Sequence, residues 1–195
     1  MDKFIQIMKN RMTDHGFSVN ANQLDLFCIY CHELKSWNEK INLTSITDDL
    51  EIIDKHFIDS ILPLKCLSLD CGDKVTDVGT GAGFPGLPIK IMKQDIELLL
   101  VESIGKKASF LDHLVKKLAL DNVNIINSRI ELLAKTSDHR EKYNIVTARC
   151  VAHLSVIAEY CLPVTRIGGC FIAYKGSDSD SEIKEAENSI HVLGG

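Results

Sequence analysis

The residues best suited to chemistry lie in one stretch near the middle of the chain. It follows a run rich in β-branched residues, and its sequence is Asp77-Val78-Gly79-Thr80-Gly81-Ala82-Gly83-Phe84-Pro85-Gly86. This pattern predicts a strand, a tight loop and the start of a helix. Glycines permit positive φ and a close approach of the backbone to a ligand. Unpaired N–H groups at the start of a helix would point at that ligand. We interpret the stretch as a nucleotide-type binding loop rather than a flexible turn.

Two classes of ligand match the spacing of this loop. Gly81-x-Gly83-x-x-Gly86 matches the dinucleotide fingerprint, and Glu102 follows at about the distance expected of a ribose-binding acid. An acid followed by alternating glycines, from Asp77 to Gly83, is instead typical of S-adenosylmethionine (SAM) loops. Pro85 lacks an N–H that a pyrophosphate would use. The Asp77 carboxylate would repel a pyrophosphate, but it suits the cationic amino group of SAM. The loop therefore favours SAM over a dinucleotide.

The elements around the loop predict an α/β fold. From residue 71 onwards strand and helix patterns alternate, which is typical of a mostly parallel sheet with helices on both faces. Residues 1–70 show only helical spacing, so we divide the chain into an N-terminal helical region, 1–70, and a ligand-binding domain, 71–195. Strands are predicted at 74–78, 96–101, 123–126, 143–147 and 169–174.

Charged residues stand where four of these strands end. They are Asp77, Glu102, Arg149 and Lys175. Because ligands of such sheets bind beyond the carboxyl ends of the strands, these side chains predict a binding site. A carboxylate accepts two hydrogen bonds at once, so Glu102 is expected to bind both ribose hydroxyls of an adenosine. Ile130 and Glu131 follow the third strand, where an adenine ring could lie against an aliphatic side chain.

The N-terminal region adds two candidate pairs of residues. A helix is expected to begin near Asp48 and to run through His56 and Asp59, which would share one face of it. Taken alone, such a pair is a helix-surface hydrogen bond. Cys28 and Cys31 have the spacing of a metal site, but they lie on an apolar helix face without a second ligand pair, which favours core cysteines. We also expect Asn20 or Asn22 to cap this earlier helix.

Composition limits the classes of function. The chain has 195 residues, a net charge of −5 and no long apolar run, so neither a membrane segment nor a secretory signal is expected. Seven cysteines, an odd number, favour reduced thiols in the cytoplasm, without disulfides or metal. A nucleic-acid partner would need a local basic face. Lys106 and Lys107, expected to point outward from a helix, could provide one together with Arg149 and Lys175.

Several motifs together resemble the RsmG (GidB) family of bacterial small-subunit ribosomal RNA methyltransferases, which modify guanine at N7. They are the loop 77–86 and the segments Trp37-Asn38…Ile41-Asn42-Leu43-Thr44, His56-Phe57-Ile58-Asp59-Ser60, Val101-Glu102-Ser103…Lys106-Lys107…Phe110-Leu111 and Lys175-Gly176. The resemblance implies a Rossmann-like SAM-dependent methyltransferase. It also implies SAM contacts at Gly79, Phe84, Ile130, Glu131 and Arg149, beside the Asp77, Gly81 and Glu102 argued above.

The chain departs from this family in two places. The family usually has Ser-Arg-Ala after the fourth strand, where this chain has Ala148-Arg149-Cys150, so the arginine and its implied role are kept. The family also continues beyond a fifth strand to an antiparallel strand pair, which we do not find in these residues. Either these residues stop short of that strand pair, or the sheet is completed in another way.

The implied chemistry needs no dedicated base, because guanine N7 already carries a free lone pair. The enzyme must hold N7 in line with the methyl group, and the base must be unstacked because the A-form major groove is too narrow. Candidates to grip the guanine are Lys175, His56 and Asp59. We expect a cytoplasmic monomer acting on small-subunit ribosomal RNA or a subunit particle.

Three alternatives stay open at this stage. They are a methyltransferase for another RNA, one for a small molecule, and a non-catalytic RNA-binding module. The intact Asp77, Glu102 and loop glycines speak against a binding module, since a scaffold alone would not require them. The basic residues speak against a small-molecule substrate.

Overall fold

The sheet has five parallel strands in a single layer. In a computed structural model that describes residues 2–149, 152–176 and 179–195, the strand order is β3-β2-β1-β4-β5. The strands are β1 (Lys74–Val78), β2 (Glu97–Val101), β3 (Val123–Ile126), β4 (Tyr143–Arg149) and β5 (Thr165–Tyr174). Every pair of neighbours is parallel. The prediction of a mostly parallel sheet is confirmed.

The register brings the strand ends together beside β1. Val78, the last residue of β1, pairs with Val101 of β2 on one side and with Ala148 of β4 on the other. The chain runs outward from β1 to β3 and then crosses back to β4, so the strand order reverses between β1 and β4. Such a switch point opens a crevice at the carboxyl ends of the strands. The loop that follows β1 lies at this crevice.

The fifth strand begins earlier than its sequence pattern predicted. It starts at Thr165 rather than at residue 169, and its pairing with β4 is irregular between Tyr143 and Ile145. Gly168 has a φ of 73° within this segment. Glycines of this kind interrupt the alternation of a strand, which is why the pattern underestimated its length.

Helices cover both faces of the sheet, as predicted. They are α5 (Gly86–Met92), α6 (Gly105–Lys117), α7 (Ile130–Leu133), α8 (Leu154–Cys161) and α9 (Asp180–Val192). Because successive strand residues point to opposite faces, Leu98 and Leu100 of β2 pack in one hydrophobic cluster while Leu99 and Val101 pack in another. The first cluster includes buried side chains of α5 and α6, and the second includes buried side chains of α7 and α8.

The described residues of the N-terminal region form helices and connecting segments. It comprises α1 (Asp2–Asp14), α2 (Ala21–Asn38), α3 (Asp49–Glu51), a π-helix (Ile52–Ile58), α4 (Asp59–Ile61) and a 3₁₀ turn (Leu62–Lys65). Asn20 rather than Asn22 caps α2, because its side chain accepts from the Gln23 amide while the Gln23 side chain accepts from the Asn20 amide. Asp48 caps α3, close to the predicted start. The π-helix was not predicted.

The N-terminal helices share their core with the sheet. Phe27 of α2 and Phe57 of the π-helix belong to the same cluster as Leu87 of α5 and Phe110 of α6. The division of the chain near residue 70 stays a prediction. Within the described ranges, no helix has both the length and the apolar character needed to cross a membrane.

Candidate functional site

The glycine loop after β1 needs its glycines for two different reasons. Gly79, Gly81 and Gly83 have φ values of 66°, 59° and 97°, a region that other residues rarely adopt. A Cβ on Gly83 would also lie 2.6 Å from the side chain of Leu87 and from the hydroxyl of Tyr30. The loop is therefore held tightly against α2 and α5, and the prediction of a strand, a loop and a helix start is confirmed.

Most N–H groups of the loop are paired within the protein, and among its described amides the one of Ala82 is left without an acceptor, so the prediction of several unpaired donors was wrong. Five of its amides donate within the protein, namely those of Gly79, Thr80, Gly81, Gly83 and Phe84. Their acceptors are the carbonyls of Val101 and Thr80 and the carboxylate of Glu102. Pro85 has no N–H to give. A pyrophosphate would thus find few donors here, which further separates this loop from a dinucleotide site.

Asp77 lies beneath the loop and braces it. One carboxylate oxygen accepts from the Gly86 amide at 2.9 Å, and the other accepts from the Thr147 hydroxyl at 2.9 Å. Burial raises the pKa of Asp77 to about 6, although the hydrogen bonds from Gly86 and Thr147 act in the opposite direction. The carboxylate joins the end of β1 to α5 and β4. Its contact with the amino group of SAM stays a prediction.

Glu102 holds the opposite side of the loop. At the end of β2, one of its carboxylate oxygens accepts from the Gly81 amide at 2.9 Å, and the other accepts from the Ile104 amide at 2.8 Å. A carboxylate has about four lone-pair sites, so roughly two stay available after these bonds. The same side chain therefore fixes the loop and keeps acceptor capacity, although Glu102 is only 4% exposed. The ribose contact stays a prediction.

A first cleft opens beside the loop on the β2 side. Its volume is about 210 Å³, and it is lined by Val78, Gly79, Val101, Ser103, Ser128, Arg129, Ile130, Glu131 and Tyr160. The valines, Ile130 and Tyr160 give it apolar walls that suit a heterocyclic base. Ile130 and Glu131 lie where the sequence predicted them. Tyr160 was missed, because its position on α8 carries no motif and only the packing of α8 brings it to the cleft.

A second cleft opens on the other side of the same loop. Its lining comes from the loop, the N-terminal region, α6 and the end of β4: Leu43, Thr44, Ser45, Ile46, Lys55, His56, Asp59, Gly79, Thr80, Gly81, Ala82, Phe84, Lys107 and Arg149. Gly79 lines both clefts. The two clefts thus meet at one backbone position.

Phe84 borders the second cleft, but most of its side chain is buried against other residues of the protein. Its ring is 5% exposed and stacks against Tyr30, with centroids 5.0 Å apart, and against His56, with centroids 4.5 Å apart. The guanidinium carbon of Arg149 lies 5.0 Å from the centroid of the Phe84 ring, within cation–π range. Phe84 therefore ties the loop to α2, the π-helix and β4. Its contact with SAM stays a prediction.

Arg149 links the end of β4 to the N-terminal helices. Its Nη1 donates to the carboxylate of Asp59 at 3.1 Å, to the carbonyl of Lys55 at 3.2 Å and to the hydroxyl of Ser60 at 3.4 Å. The Tyr174 hydroxyl of β5 donates to the Ser60 carbonyl at 2.6 Å and strengthens the same junction. The predicted SAM contact of Arg149 is not tested by this geometry. Cys150, where the sequence departs from the family pattern, lies outside the described residues.

His56 enters the second cleft from the π-helix. Its Nε2 lies 2.8 Å from the hydroxyl of Thr44, while its Nδ1 is buried and has no hydrogen-bond partner among the described residues. Burial, reinforced by the charge of Arg149, lowers the pKa of His56 to about 4. The imidazole is thus neutral at pH 7. Thr44 belongs to the segment 41–44 that contributed to the resemblance, where no role had been assigned to it.

The sequence itself places this chain in a family. A family model described as GidB, rRNA small subunit methyltransferase G, matches residues 23–195. Curated relatives named Ribosomal RNA small subunit methyltransferase G agree with this. The Clostridium beijerinckii protein is 47% identical over 193 residues, which are 99% of this chain and 81% of that protein. The Desulforamulus reducens protein is 46% identical over 188 residues, which are 96% of this chain and 78% of that protein.

The chain belongs to the GidB family. The resemblance inferred from the motifs is therefore confirmed. Solved structures support the fold at lower identity. A SAM-dependent O-methyltransferase from Thermotoga maritima has a TM-score of 0.58, at 16% identity over 82% of this chain and 55% of that chain. A SAM-dependent methyltransferase from Aquifex aeolicus has a TM-score of 0.56, at 19% identity over 82% of this chain and 87% of that chain. The Rossmann-like fold is confirmed by these matches.

The fold by itself does not determine the activity of this GidB-family chain. The [4+2]-cyclase SpnF also matches, with a TM-score of 0.54 at 15% identity over 69% of this chain and 55% of that chain. Proteins of one fold carry different chemistry in their sites. The residues of the two clefts must therefore support any functional conclusion.

The three candidates for gripping a guanine have different surroundings in this GidB-family chain. His56 and Asp59 both line the second cleft. Lys175 lines neither of the two clefts, since its ammonium group pairs with Glu182 at 2.5 Å and donates to the Ala152 carbonyl at 2.8 Å. The side chain of Lys175 is thus used to hold α9 against the residues before α8. The position of Lys175 directly after β5 did not reveal these partners in the sequence.

Proposed function

We propose that this chain transfers the methyl group of SAM to N7 of a guanine in small-subunit ribosomal RNA. Membership of the GidB family supports the reaction class. The observation that carries the proposal is the position of Gly79, which lines both clefts. A donor in the first cleft and a base in the second would meet there with no side chain in between. This arrangement serves a direct transfer between two bound molecules.

The first cleft suits SAM better than it suits a dinucleotide. Val78, Val101 and Ile130 offer apolar walls to the adenine ring, and Glu102 keeps lone pairs for ribose hydroxyls. Five of the loop amides are already paired, and the Asp77 carboxylate lies below the loop, so a pyrophosphate would meet few donors and a repelling charge. We therefore assign SAM as the methyl donor.

The role of the second cleft is to position the guanine, and the reaction needs no general base there. SAM, when bound, supplies an electrophilic methyl group, and the N7 lone pair takes it up without loss of a proton, so the positive charge passes to the purine. His56 is neutral at pH 7 and does not repel this charge. Correct placement of two reactants accounts for about 7–11 kcal/mol of a barrier in favourable cases.

The rim of the second cleft has the charge that RNA requires. Lys107 lines it, and Lys106 is exposed on α6 beside Lys107. Lys55 and Arg149 also line it, each in an ion pair with a carboxylate. The chain as a whole has a net charge of −5, so attraction for phosphates must come from this rim. The target is a guanine that a folded RNA or subunit particle presents unstacked. We assign the activity to a cytoplasmic monomer.

The test combines binding with methyl transfer. Calorimetry should show an isotherm for SAM and none for NAD. Labelled methyl groups should pass to small-subunit particles that lack 7-methylguanosine, and free guanosine should be a very poor acceptor, since binding energy from the RNA positions N7. Tight binding of NAD without SAM would overturn the assignment of the donor. Transfer only to another RNA or to a small molecule would overturn the assignment of the acceptor, and SAM binding without transfer to any acceptor would favour a binding module.

A further inference from the structure

Asp59 differs from every other residue that lines the second cleft. Within the described part of the chain it is the one carboxylate in that lining, and its side chain is 44% exposed. It begins α4, directly after the π-helix that carries His56. Irregular helices of that kind occur often at functional sites. A lone acidic group on a basic rim is costly for RNA binding in general, which indicates a specific role.

A hydrogen bond orients the Asp59 carboxylate, but most of its acceptor sites are free. One of its oxygens accepts from Nη1 of Arg149 at 3.1 Å. Arg149 is itself 12% exposed and is held in place by the Lys55 carbonyl and the face of Phe84. Since a carboxylate has about four lone-pair sites, roughly three stay free on Asp59. The free sites adjoin the cavity, because Asp59 lines it.

Guanine is the base whose Watson–Crick edge fits such a group. N1–H and the 2-amino group are adjacent donors, so they match the two acceptor oxygens of a carboxylate. Adenine presents an acceptor at N1 and would be repelled there. N7 lies on the opposite edge of guanine, which leaves its lone pair free for the methyl group. Enzymes that act on extruded bases read them through this Watson–Crick edge.

We propose that Asp59 recognises the target guanine through its N1–H and 2-amino groups, and that Arg149 is the positioning residue for the Asp59 carboxylate. This inference rests on the proposed function, since it names the residue that would select the base. The carboxylate would also offset the positive charge that the purine acquires when it is methylated.

The experiment compares guanine with inosine, which keeps N1–H and N7 but lacks the 2-amino group. The position modified by the wild type is mapped first, and small-subunit RNA is then prepared with guanine or inosine at that position. The wild type should methylate the inosine substrate about tenfold or more slowly, since a hydrogen bond to a charged group is lost. Asp59→Asn should be slowed on guanine by a similar factor and should lose most of its preference for guanine over inosine.

Asp54→Asn provides a matched control. Asp54 lies on the π-helix that directly precedes Asp59, its side chain is 38% exposed, and it pairs with Arg11 rather than with Arg149. This variant should keep the guanine-to-inosine ratio of the wild type. SAM affinity should stay within about twofold for both variants, and Asp59→Ser serves as a second variant if Asp59→Asn fails to fold.

The outcomes separate the inference from the function on which it rests. A guanine-to-inosine ratio that is equal in the wild type and in Asp59→Asn would overturn the role of Asp59 while leaving the methyltransferase assignment intact. A loss of SAM binding in Asp59→Asn would also overturn it, because Asp59 would then serve the donor through Arg149. Failure of the wild type to methylate any RNA would remove the proposed function itself, and the inference with it.

Discussion

The carboxylate of Glu102 accepts a hydrogen bond from the amide of Gly81 at 2.9 Å, although the two residues lie on different strand–loop units. This bond joins the end of β2 to the glycine loop of β1. It also orients a buried carboxylate that we expect to bind the ribose.

Glu102→Ala should therefore weaken SAM binding by about tenfold to a hundredfold, because hydrogen bonds to a charged group are lost on both the loop and the ligand. Calorimetry with SAM gives the change directly. Glu97→Ala is the matched control, since Glu97 begins the same strand and makes an exposed pair with Lys74 at 3.9 Å. Equal SAM affinity in wild type and Glu102→Ala would contradict the role of Glu102.

Gly83→Ala should lower the free energy of unfolding more than Gly72→Ala does. Both glycines have positive φ, at 97° and 80°, so each substitution carries a backbone cost of about 1–2 kcal/mol. A Cβ at Gly83 also meets Leu87 and Tyr30 at 2.6 Å, whereas a Cβ at Gly72 meets nothing within 4 Å. Chemical denaturation of both variants measures the difference. Similar losses at the two positions would mean that the loop relaxes away from Tyr30.

The stability contribution of His56 should depend on pH. Its pKa is lowered from 6.5 to about 4 in the folded chain. Between these values the unfolded chain binds a proton at His56 that the folded chain does not. Neutral His56 therefore contributes fully above pH 6.5, and its contribution falls as the pH decreases towards 4.

His56→Gln should for this reason lose less stability at pH 5 than at pH 7, relative to wild type. Denaturant titrations at both pH values test this. The comparison with wild type removes the opposite effect of Asp77, whose raised pKa of about 6 is common to both proteins. A difference between the two proteins that does not change with pH would show that His56 titrates normally in the folded chain.

Lys106→Glu combined with Lys107→Glu should reduce methylation of ribosomal RNA by about tenfold or more, because two attractions for phosphate become repulsions. SAM affinity should be nearly unchanged. Lys107 lines the second cleft and Lys106 is exposed beside it. The measurement is labelled methyl transfer at two salt concentrations, together with SAM calorimetry.

Lys116→Glu with Lys117→Glu is the matched control for this charge change. Both lysines are exposed at the far end of α6, so the net charge changes equally while the rim of the cleft does not. The control should methylate RNA at nearly the wild-type rate. Equal losses in both double variants would indicate a general effect of charge, and a loss of SAM binding in the first would place its lysines at the donor site.

Local patterns in the sequence were sufficient for the fold and for the position of the loop. The alternation of apolar strands and amphipathic helices predicted the parallel sheet, and the glycines at 79, 81 and 83 predicted a loop with positive φ, which the structure contains. The helix N-cap at Asp48 was likewise predicted from the sequence. Each of these features depends on residues within a few positions of one another.

The contacts that define the site could not be read in this way. The tertiary structure decided that the loop amides are paired by Val101 and Glu102, and that Arg149 binds Asp59, although the two residues are 90 positions apart. It also decided that Lys175 pairs with Glu182 and lies outside both clefts. A charged side chain at a strand end has several possible partners, and the free energy of each pairing depends on distance and burial. Both are set by the order of the strands and by the packing of the N-terminal helices on the sheet.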